Sequence, residues 1–367
     1  MSSPANDYRP AIVNALTALQ KKELALKQPF KARAYRNVIQ QILQLDHPVT
    51  RMDDLASIRG IGDAIQIKLR EIFSTGHLQA ADAAEEKYSL ALRDDLQKIY
   101  GVGPAFATKL IEEHGVQSVD HLRQMVIATP NLLNKNQQVG LRYYEDLQRR
   151  IPREEMDRHA ALLRDTITTL ESGAAAVLDI VGTVATAAAP TMDIVGSYRR
   201  GAPTSGDIDV LLKDSPDAPV DLNAFVRALQ QKGYLLDILA LGSHKCMGVC
   251  RLAPDLPARR IDLLVTPAEE YPYALLYFTG SDRFNVAMRQ HALQQGISMN
   301  EHCMRSITVD RSCAANEKPM TPAPPKQITC ERDIFHALGL AYVAPERRVD
   351  HQQIRPLKRR MPVFQES

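Results

Sequence analysis

The sequence predicts a multidomain α/β protein with a helical N-terminal part, a central unit built on a mixed β-sheet with helices, and a small α+β unit at the end. Three observations predict it. Apolar residues recur at helical spacing early in the chain. Short apolar runs of strand length, bounded by glycine, aspartate and proline, crowd residues 192–267, and helical patterning with one short β run returns after Pro267. A chain of 367 residues, 45% hydrophobic and 24% charged, has the composition of a soluble globular protein with several packed units.

Residues 8–45 carry Ile12, Leu16 and Leu19, then Val38, Ile39, Ile42 and Leu43, a spacing that predicts two amphipathic helices joined near Pro29. Next comes DDLASIRGIGDAIQIKLREIF, and further on DDLQKIYGVGPAFATKLIEEHG. Each copy reads Asp-Asp-Leu, a short spacer, Gly-apolar-Gly, and an amphipathic helix with a lysine one to two turns in, so the chain holds an internal repeat. Gly60 and Gly62 in the first copy, and Gly101 and Gly103 in the second, permit a tight hairpin. Its bare N–H groups then lie at a helix N-terminus, where a phosphate can be cradled. One Gly-x-Gly is more often a plain corner between helices. Two copies with matching flanks look like helix-hairpin-helix motifs on a DNA backbone, where phosphate contacts position a protein without reading sequence.

Ile151-Pro152 then starts a fresh helix. Strand-like runs follow in MDIVGS, DIDVLL, YLLDILAL, MGVCRLA and RIDLLVT, with a helix over residues 221–232 among them. TPAEEYPYALLYFTGSDRFNVAMRQHALQQG is helical in pattern, EKPMTPAPPKQ is a proline-rich loop, and ERDIFHALGL is a last small helix before a loose tail.

Composition excludes several classes of function. The most apolar stretch, Ala174 to Met192, is broken by Asp179, Gly182 and Pro190, so no membrane span is expected. MSSPANDYRP has neither the apolar core of a secretory signal nor the pattern of a transit peptide, and secretion is not expected. Five cysteines without a pairing pattern suit reduced thiols. Cys246 and Cys250 have no further Cys or His at zinc spacing and are expected as buried thiols on one strand face. A net charge of +2 argues against indiscriminate coating of nucleic acid. Lys and Arg outnumber Asp and Glu eleven to seven over residues 1–75, and the tail ends in RPLKRRMP. Both ends can meet phosphate, although charge alone favours a solvated surface.

The densest chemistry lies in GSYRRGAPTSGDID, residues 196–209. Asp207 and Asp209 project to one face of a strand continued by Val210, Leu211 and Leu212, and two carboxylates so placed repel unless a cation lies between them. Hard oxygen ligands favour Mg2+, which keeps waters and takes substrate phosphates as further ligands. Asp262 in RRIDLLV has the same setting and supplies the third carboxylate that a two-metal phosphoryl-transfer site needs. On its own, Asp-x-Asp is more often a solvent-facing pair. Gly196-Ser197 after a strand offers a backbone N–H and a hydroxyl, and Arg200 a charge-assisted bond, which together make a place for a triphosphate.

These residues, with RRID, YFTGSDRFN, RIPREEM and the doubled hairpins, resemble DNA polymerase family X, in particular its beta type, over residues 8–342. The resemblance implies four parts. Residues 1–83 would form a helical lyase domain with the first helix-hairpin-helix, and 84–148 a DNA-gripping helical subdomain with the second. Residues 149–266 would form a nucleotidyltransferase-type palm, and 267–367 a nucleotide-selecting subdomain with a basic tail. The implied activity is a DNA-directed DNA polymerase that fills short gaps in base excision repair, with an associated 5′-deoxyribose-phosphate lyase.

Carried over position by position, Asp207, Asp209 and Asp262 match the metal ligands, with Asp262 beside the primer 3′ hydroxyl as acceptor of its proton. Two Mg2+ ions are implied, with Mn2+ as a substitute. Arg150, Ser197, Arg200 and Gly206 resemble the triphosphate-holding set. Tyr277, Phe278 and Gly280 resemble the segment that crowds a 2′ hydroxyl, although the two rings also suit plain core packing. Asp282 and Asn285 would lie against the incoming base, and Arg260 and Arg289 against DNA, Arg289 on the template side.

Lys68 matches the Schiff-base nucleophile, where a neutral amine attacks the aldehyde of an abasic sugar; a surface helix lysine would read the same without the resemblance. Lys31 and Tyr35 align with the 5′-phosphate pocket. The main-chain carbonyls of Ala56, Ile58 and Ile61, and of Gln97, Ile99 and Val102, resemble monovalent-cation sites for Na+ or K+.

The chain also departs from the family pattern. Ala64 stands where a phosphate-binding lysine is expected, Phe30 where a histidine is, and GHLQAADA lacks the usual basic residues, so the lyase rests on fewer residues than the polymerase. His302 replaces a tyrosine after Glu301, and residues 310–326 exceed the family's loop. The expected partners are gapped or nicked double-stranded DNA, dNTPs and repair proteins, with no membrane, and the chain is expected to be a monomer. KRR near the C-terminus points to the nucleus, with a mitochondrion or a viral particle as alternatives. An untemplated nucleotidyltransferase and a non-catalytic helix-hairpin-helix scaffold are the rival readings.

Overall fold

The computed structural model describes residues 6–26, 28–179, 192–307 and 328–357. The expectations for residues 310–326, for the proline-rich loop and for the basic tail from Lys358 lie outside them. Two compact units are formed, Met1–Tyr144 and Glu145–Ser367.

The first unit opens with α1 (Arg9–Ala25) and α2 (Pro29–Leu43), each with a proline in its first two positions, where the missing N–H is one that a helix start leaves unpaired anyway. They pack on α3 (Asp63–Thr75) and α4 (Gln79–Tyr88) through Ile12, Leu16, Val38, Ile42, Leu69 and Ile72, all fully buried. Each such side chain contributes about 2 kcal/mol of hydrophobic stabilisation. A second core joins α5 (Leu90–Gln97), α6 (Pro104–Glu112), α7 (Val119–Ala128) and α8 (Lys135–Arg142) through Leu96, Val102, Leu110, Leu122 and Leu141. A short helix, α9 (Tyr144–Gln148), follows.

The repeated hairpins lie before α3 and α6, and their two glycines do different jobs. Gly60 and Gly101 take φ of 97° and 84°, which a side chain would resist. Gly62 and Gly103 are extended N-cap residues at φ −84° and −86°, and a Cβ at either would meet nothing within 4 Å. The expectation that both glycines serve the turn is therefore corrected: only the first of each pair does. The second leaves open space beside a helix N-terminus.

The second unit runs β1 (Ile151–Pro152), α10 (Arg153–Asp179), β2 (Met192–Ile194), α11 (Gly196–Arg199), β3 (Thr204–Ser205), β4 (Ile208–Asp214), α12 (Leu222–Gln231), β5 (Leu235–Leu241), β6 (Lys245–Cys250) and β7 (Arg259–Pro267). Ile151-Pro152 does not open a helix. It pairs antiparallel with β3, Ile151 facing Ser205, and α10 starts at Arg153; the tie is non-local and invisible to a helix-start rule. Gly196-Ser197 is likewise more than a turn, since Gly196 at φ 60° leads into the single helical turn of α11.

The main sheet has the order β2-β4-β7-β6-β5, and β4 and β7 pair in parallel. Its strand periodicity sorts the faces. Ile208, Val210 and Leu212 of β4 and Ile261, Leu263 and Val265 of β7 join α10 and α12 in one core, with Cys246 and Cys250 buried among them as expected. Burial pushes the Cys250 thiol up to about 12. Leu211 and Leu264 face the other way, onto Tyr271 and Ala274 of α13 (Tyr271–Thr279). Asp209 and Asp262 lie two residues from Leu211 and Leu264, so both belong to this second face.

The rest of the unit, α14 (Asp282–Gln294), the hairpin of β8 (Ile297–Met299) and β9 (Met304–Ser306), and α15 (Glu331–Ala337), closes on a core of Phe284, Met288, Ile334 and Phe335. Among the described residues no helix is long and apolar enough to cross a membrane.

Candidate active site

Asp209 and Asp262 are partners in the β4–β7 register, directly side by side. Asp207 precedes β4 rather than lying within it and is exposed. The three carboxylates nevertheless feel one another. Burial, then Asp207 and Asp262, raise the Asp209 pKa to about 7. Although Asp207 is exposed as a residue, surrounding protein partly desolvates its carboxyl and raises its pKa as well, with Arg260 opposing and Asp262 reinforcing the shift.

Two cations face Asp262. Arg260 Nη2 donates to its Oδ1 at 2.7 Å, and Lys245 Nζ lies 3.6 Å from its Oδ2. Among the described residues no three His, Cys, Asp or Glu side chains are already gathered in metal-donor geometry. The donor chemistry still fits a hard divalent cation: the set is all oxygen, and Asp209 holds a carboxylate at a charge disadvantage that a cation would reverse. Such an ion would compete with Arg260 and Lys245 for Asp262.

The glycine entering α11 shapes the floor of the site. A Cβ at Gly196 would meet Asp209 Oδ2 at 2.7 Å. Ser197 Oγ donates to Ser205 Oγ at 3.0 Å. Arg150 donates from Nε to Thr204 Oγ1 at 3.2 Å and from Nη2 to the Thr204 carbonyl at 2.8 Å, and its Nη1 would lie 3.1 Å from a Cβ at Gly206. Arg200 donates to the Thr279 carbonyl at 2.5 Å, and a Cβ at Gly280 would sit 3.1 Å from its Nη1. Burial lowers the Arg200 pKa, and the charges of Asp282 and Asp209 oppose that shift. The fold thus brings Arg150, Gly206, Ser197, Arg200, Gly280 and Asp209 into one neighbourhood although 130 residues separate Arg150 from Gly280 in the chain.

In the last turn of α13 the Tyr277 and Phe278 rings meet edge to face with centroids 5.0 Å apart. Asn285 donates to the Tyr277 carbonyl at 2.7 Å. Arg289 stacks over the Tyr277 ring at 4.9 Å and reaches Glu301 at 3.3 Å. Asp282, exposed, starts α14 behind the Ser281 cap. His302 Nδ1 lies 2.6 Å from Glu270 Oε2.

Arg199, Glu331 and Arg348, to which the sequence assigned no role, form a network here whose centre, Glu331, is buried. Arg199 pairs with Glu331 at 2.8 Å and donates to Thr279 Oγ1 at 2.7 Å, and Arg348 donates to Glu331 at 2.6 Å. Burial alone would raise the Glu331 pKa, but Arg348 and Arg199 hold it below the ordinary value. Only the doubled arginine next to Arg200 signalled Arg199; its partner lies 132 residues away.

In the first unit Lys68 is half-buried on α3 and donates to the Ala64 carbonyl at 2.8 Å. Lys31 and Tyr35 follow one another at i, i+4 on α2, one turn before Val38, the side chain nearest Gly60. Burial and then Glu23 raise the Tyr35 pKa. Phe30 is 85% exposed at the start of α2. Each hairpin is braced by a glutamine amide. Gln41 exchanges two bonds of 2.9 Å with the Arg59 backbone, and Gln137 Nε2 donates to the Gly101 carbonyl at 2.9 Å. Of the carbonyls considered for a monovalent cation, that of Ile99 accepts the Val102 N–H at 3.0 Å.

Helix-hairpin-helix, fingers, palm and thumb models match the chain in succession. They are the helix-hairpin-helix domain over residues 7–78, the fingers domain of DNA polymerase lambda over 94–148, the DNA polymerase beta palm over 150–268 and the DNA polymerase beta thumb over 274–349. That series, carried on this sheet and this pair of hairpins, defines the domain architecture of a polymerase. The chain belongs to DNA polymerase family X.

Relatives agree. DNA polymerase lambda of Rattus norvegicus is 31% identical over 358 residues, covering 95% of this chain and 57% of that protein. DNA polymerase lambda of Arabidopsis thaliana is 27% identical over 88% of this chain and 59% of its own length. DNA nucleotidylexotransferase of Gallus gallus is 25% identical over 83% and 60%. The chain spans less than two thirds of each of these relatives.

Proposed function

We propose that this chain is a DNA-directed DNA polymerase of the beta type that fills short gaps in base excision repair, using dNTPs on gapped or nicked double-stranded DNA. One observation carries the reading: Asp209 and Asp262 stand in register beside Asp207, in a neighbourhood otherwise supplied with Arg150, Arg200 and Ser197. Acids repelling one another beside a set of phosphate donors suit a polyanionic substrate that arrives with divalent cations.

In this reading Arg150, Ser197, Arg200 and the backbone at Gly206 hold the triphosphate. Tyr277, Phe278 and Gly280 crowd the sugar edge, Asp282 and Asn285 face the incoming base, and Arg260 and Arg289 contact DNA. Asp262 takes the proton of the primer 3′ hydroxyl once Arg260 and Lys245 leave it. Two Mg2+ ions, or Mn2+, bound by Asp207, Asp209 and Asp262 would acidify that hydroxyl and neutralise the triphosphate.

The first unit would grip DNA through its two hairpins, with Na+ or K+ on their carbonyls. It would also act as a 5′-deoxyribose-phosphate lyase. The neutral Lys68 amine adds to the sugar aldehyde and loses water, and the imine eases β-elimination of the 5′ phosphate near Lys31 and Tyr35. A monomer working in the nucleus with repair proteins completes the proposal.

Extension of a gapped primer by each of the four dNTPs tests it. Incorporation of only the nucleotide complementary to the template base is expected. Addition without regard to the template would favour the second reading, to which the resemblance to a DNA nucleotidylexotransferase lends support. DNA binding with no incorporation would leave a scaffold.

A further inference from the structure

We infer that Arg259 is a positioning residue for the triphosphate end of the site: it fixes Arg150 relative to the carboxylates by clamping the main chain one residue before it. The inference rests on the proposed role of Arg150.

Arg259 opens β7 and is 3% exposed. Its Nε and Nη2 donate to the two oxygens of Glu155 at 2.7 and 2.8 Å, while Nη1 donates to the Arg149 carbonyl at 2.6 Å. All three nitrogens are engaged, in a planar fork that a lysine ammonium cannot reproduce. Glu155 lies in the first turn of α10 and Arg149 just before β1, so one guanidinium ties together the start of α10, the entry to β1 and the start of β7.

The other side of Arg150 is held as well, since Ile151 is buried and pairs with Ser205. With the backbone fixed before and after it, Arg150 has only its own side-chain torsions to set before it reaches Thr204 and covers Gly206. Three residues beyond Arg259 on the same strand is Asp262, in register with Asp209. A single strand therefore links the place of the phosphate-facing cation to that of the carboxylates. A pair 104 residues apart in sequence, aimed at a main-chain carbonyl, has no local signature.

A buried ion pair can also serve stability alone, so the test must separate the two roles. On single-nucleotide gapped DNA, kcat and KM for dNTP, equilibrium dNTP binding without turnover, DNA affinity and Tm are measured for the wild type, Arg259→Lys, Arg150→Ala and the double variant. Arg259→Lys is expected to weaken dNTP binding and raise KM about tenfold, the worth of one charge-assisted hydrogen bond, with DNA affinity unchanged. On top of Arg150→Ala it is expected to add less than about twofold, because it acts through the same residue.

Factors that multiply in the double variant, or an effect confined to Tm and DNA affinity, would overturn the inference. If Arg259→Lys does not fold, Glu155→Gln, which keeps the volume and weakens the clamp, carries the same comparison. A wild type that neither binds nor incorporates dNTP overturns the reading of the site, and the inference with it. Normal incorporation left unchanged by Arg259→Lys overturns the inference alone.

Discussion

Asp209 of β4 and Asp262 of β7 face each other in register on parallel neighbouring strands, and the carboxyl of Asp209, buried and next to two like charges, titrates near 7. An acid whose pKa rises from 3.8 to about 7 on folding keeps a proton that the unfolded chain has released. Stability is therefore lost as pH rises from about 4 through about 7. Asp209→Asn should stabilise the metal-free protein at pH 8 by about 1–3 kcal/mol while abolishing nucleotide transfer. Thermal unfolding at pH 4.5 and 8, with and without Mg2+, measures the first effect. A stability difference between wild type and Asp209→Asn that is the same at both pH values would show that folding does not raise the Asp209 pKa.

His159 predicts the opposite slope on the acid side. It is fully buried on α10, bonded to the Tyr234 hydroxyl at 2.7 Å, with Glu155, Arg259 and Arg158 as its charged neighbours. Burial lowers its pKa to about 4 although Glu155 pulls the other way. The unfolded chain gains a proton that the folded one refuses, so its contribution to stability is lost as pH falls from 6.5 through about 4, by at most about 1.4 kcal/mol per pH unit. Urea melts of His159→Gln should show a shallower loss over that window.

Two glycines at the second hairpin, Gly140 of α8 packed on it and Gly103 within it, separate fold from function. A Cβ at Gly140 would meet the Tyr100 carbonyl oxygen at 2.5 Å, so Gly140→Ala should push α8 off the second hairpin and cost about 1–3 kcal/mol. At Gly103 the same Cβ meets nothing within 4 Å. Gly103→Ala should cost no more than about 1 kcal/mol, as at any glycine N-cap, yet weaken gapped-DNA binding by obstructing the approach of a phosphate. Fluorescence anisotropy beside a urea melt reads both; unaltered DNA affinity in Gly103→Ala would remove the hairpin from the interface.

Lys68 bonds only locally among its described contacts, to the Ala64 carbonyl, so replacing it should leave the fold intact. Borohydride trapping of a covalent adduct with 5′-deoxyribose-phosphate DNA should vanish in Lys68→Ala while gap filling persists. A trapped adduct at wild-type yield would assign the chemistry to another amine.

The sequence exposed some layers of this protein and concealed others for physical reasons. Strands β4 and β7 were legible because Ile208 and Val210 alternate with Asp207 and Asp209, and Ile261 and Leu263 flank Asp262, at the period of a sheet. The hairpins were legible because Gly60 and Gly101 meet a local conformational demand, twice, with the same flanks. Ile151-Pro152 misled because its strand partner, Ser205, lies far along the chain. The same distance hid Arg199 with Glu331 and Arg259 with Glu155, which exist only once the chain has folded. Lys245 and Arg260 at Asp262 are a further case, since a residue pattern shows which acids converge but not which cations meet them first.

The most direct measurement of the central claim, that Asp207, Asp209 and Asp262 form one catalytic set, is single-turnover filling of a one-nucleotide gap with Mg2+ by the wild type and Asp262→Ala. The account predicts a loss of at least about a thousandfold in rate with gapped-DNA affinity retained. A rate within tenfold of wild type in Asp262→Ala would contradict it.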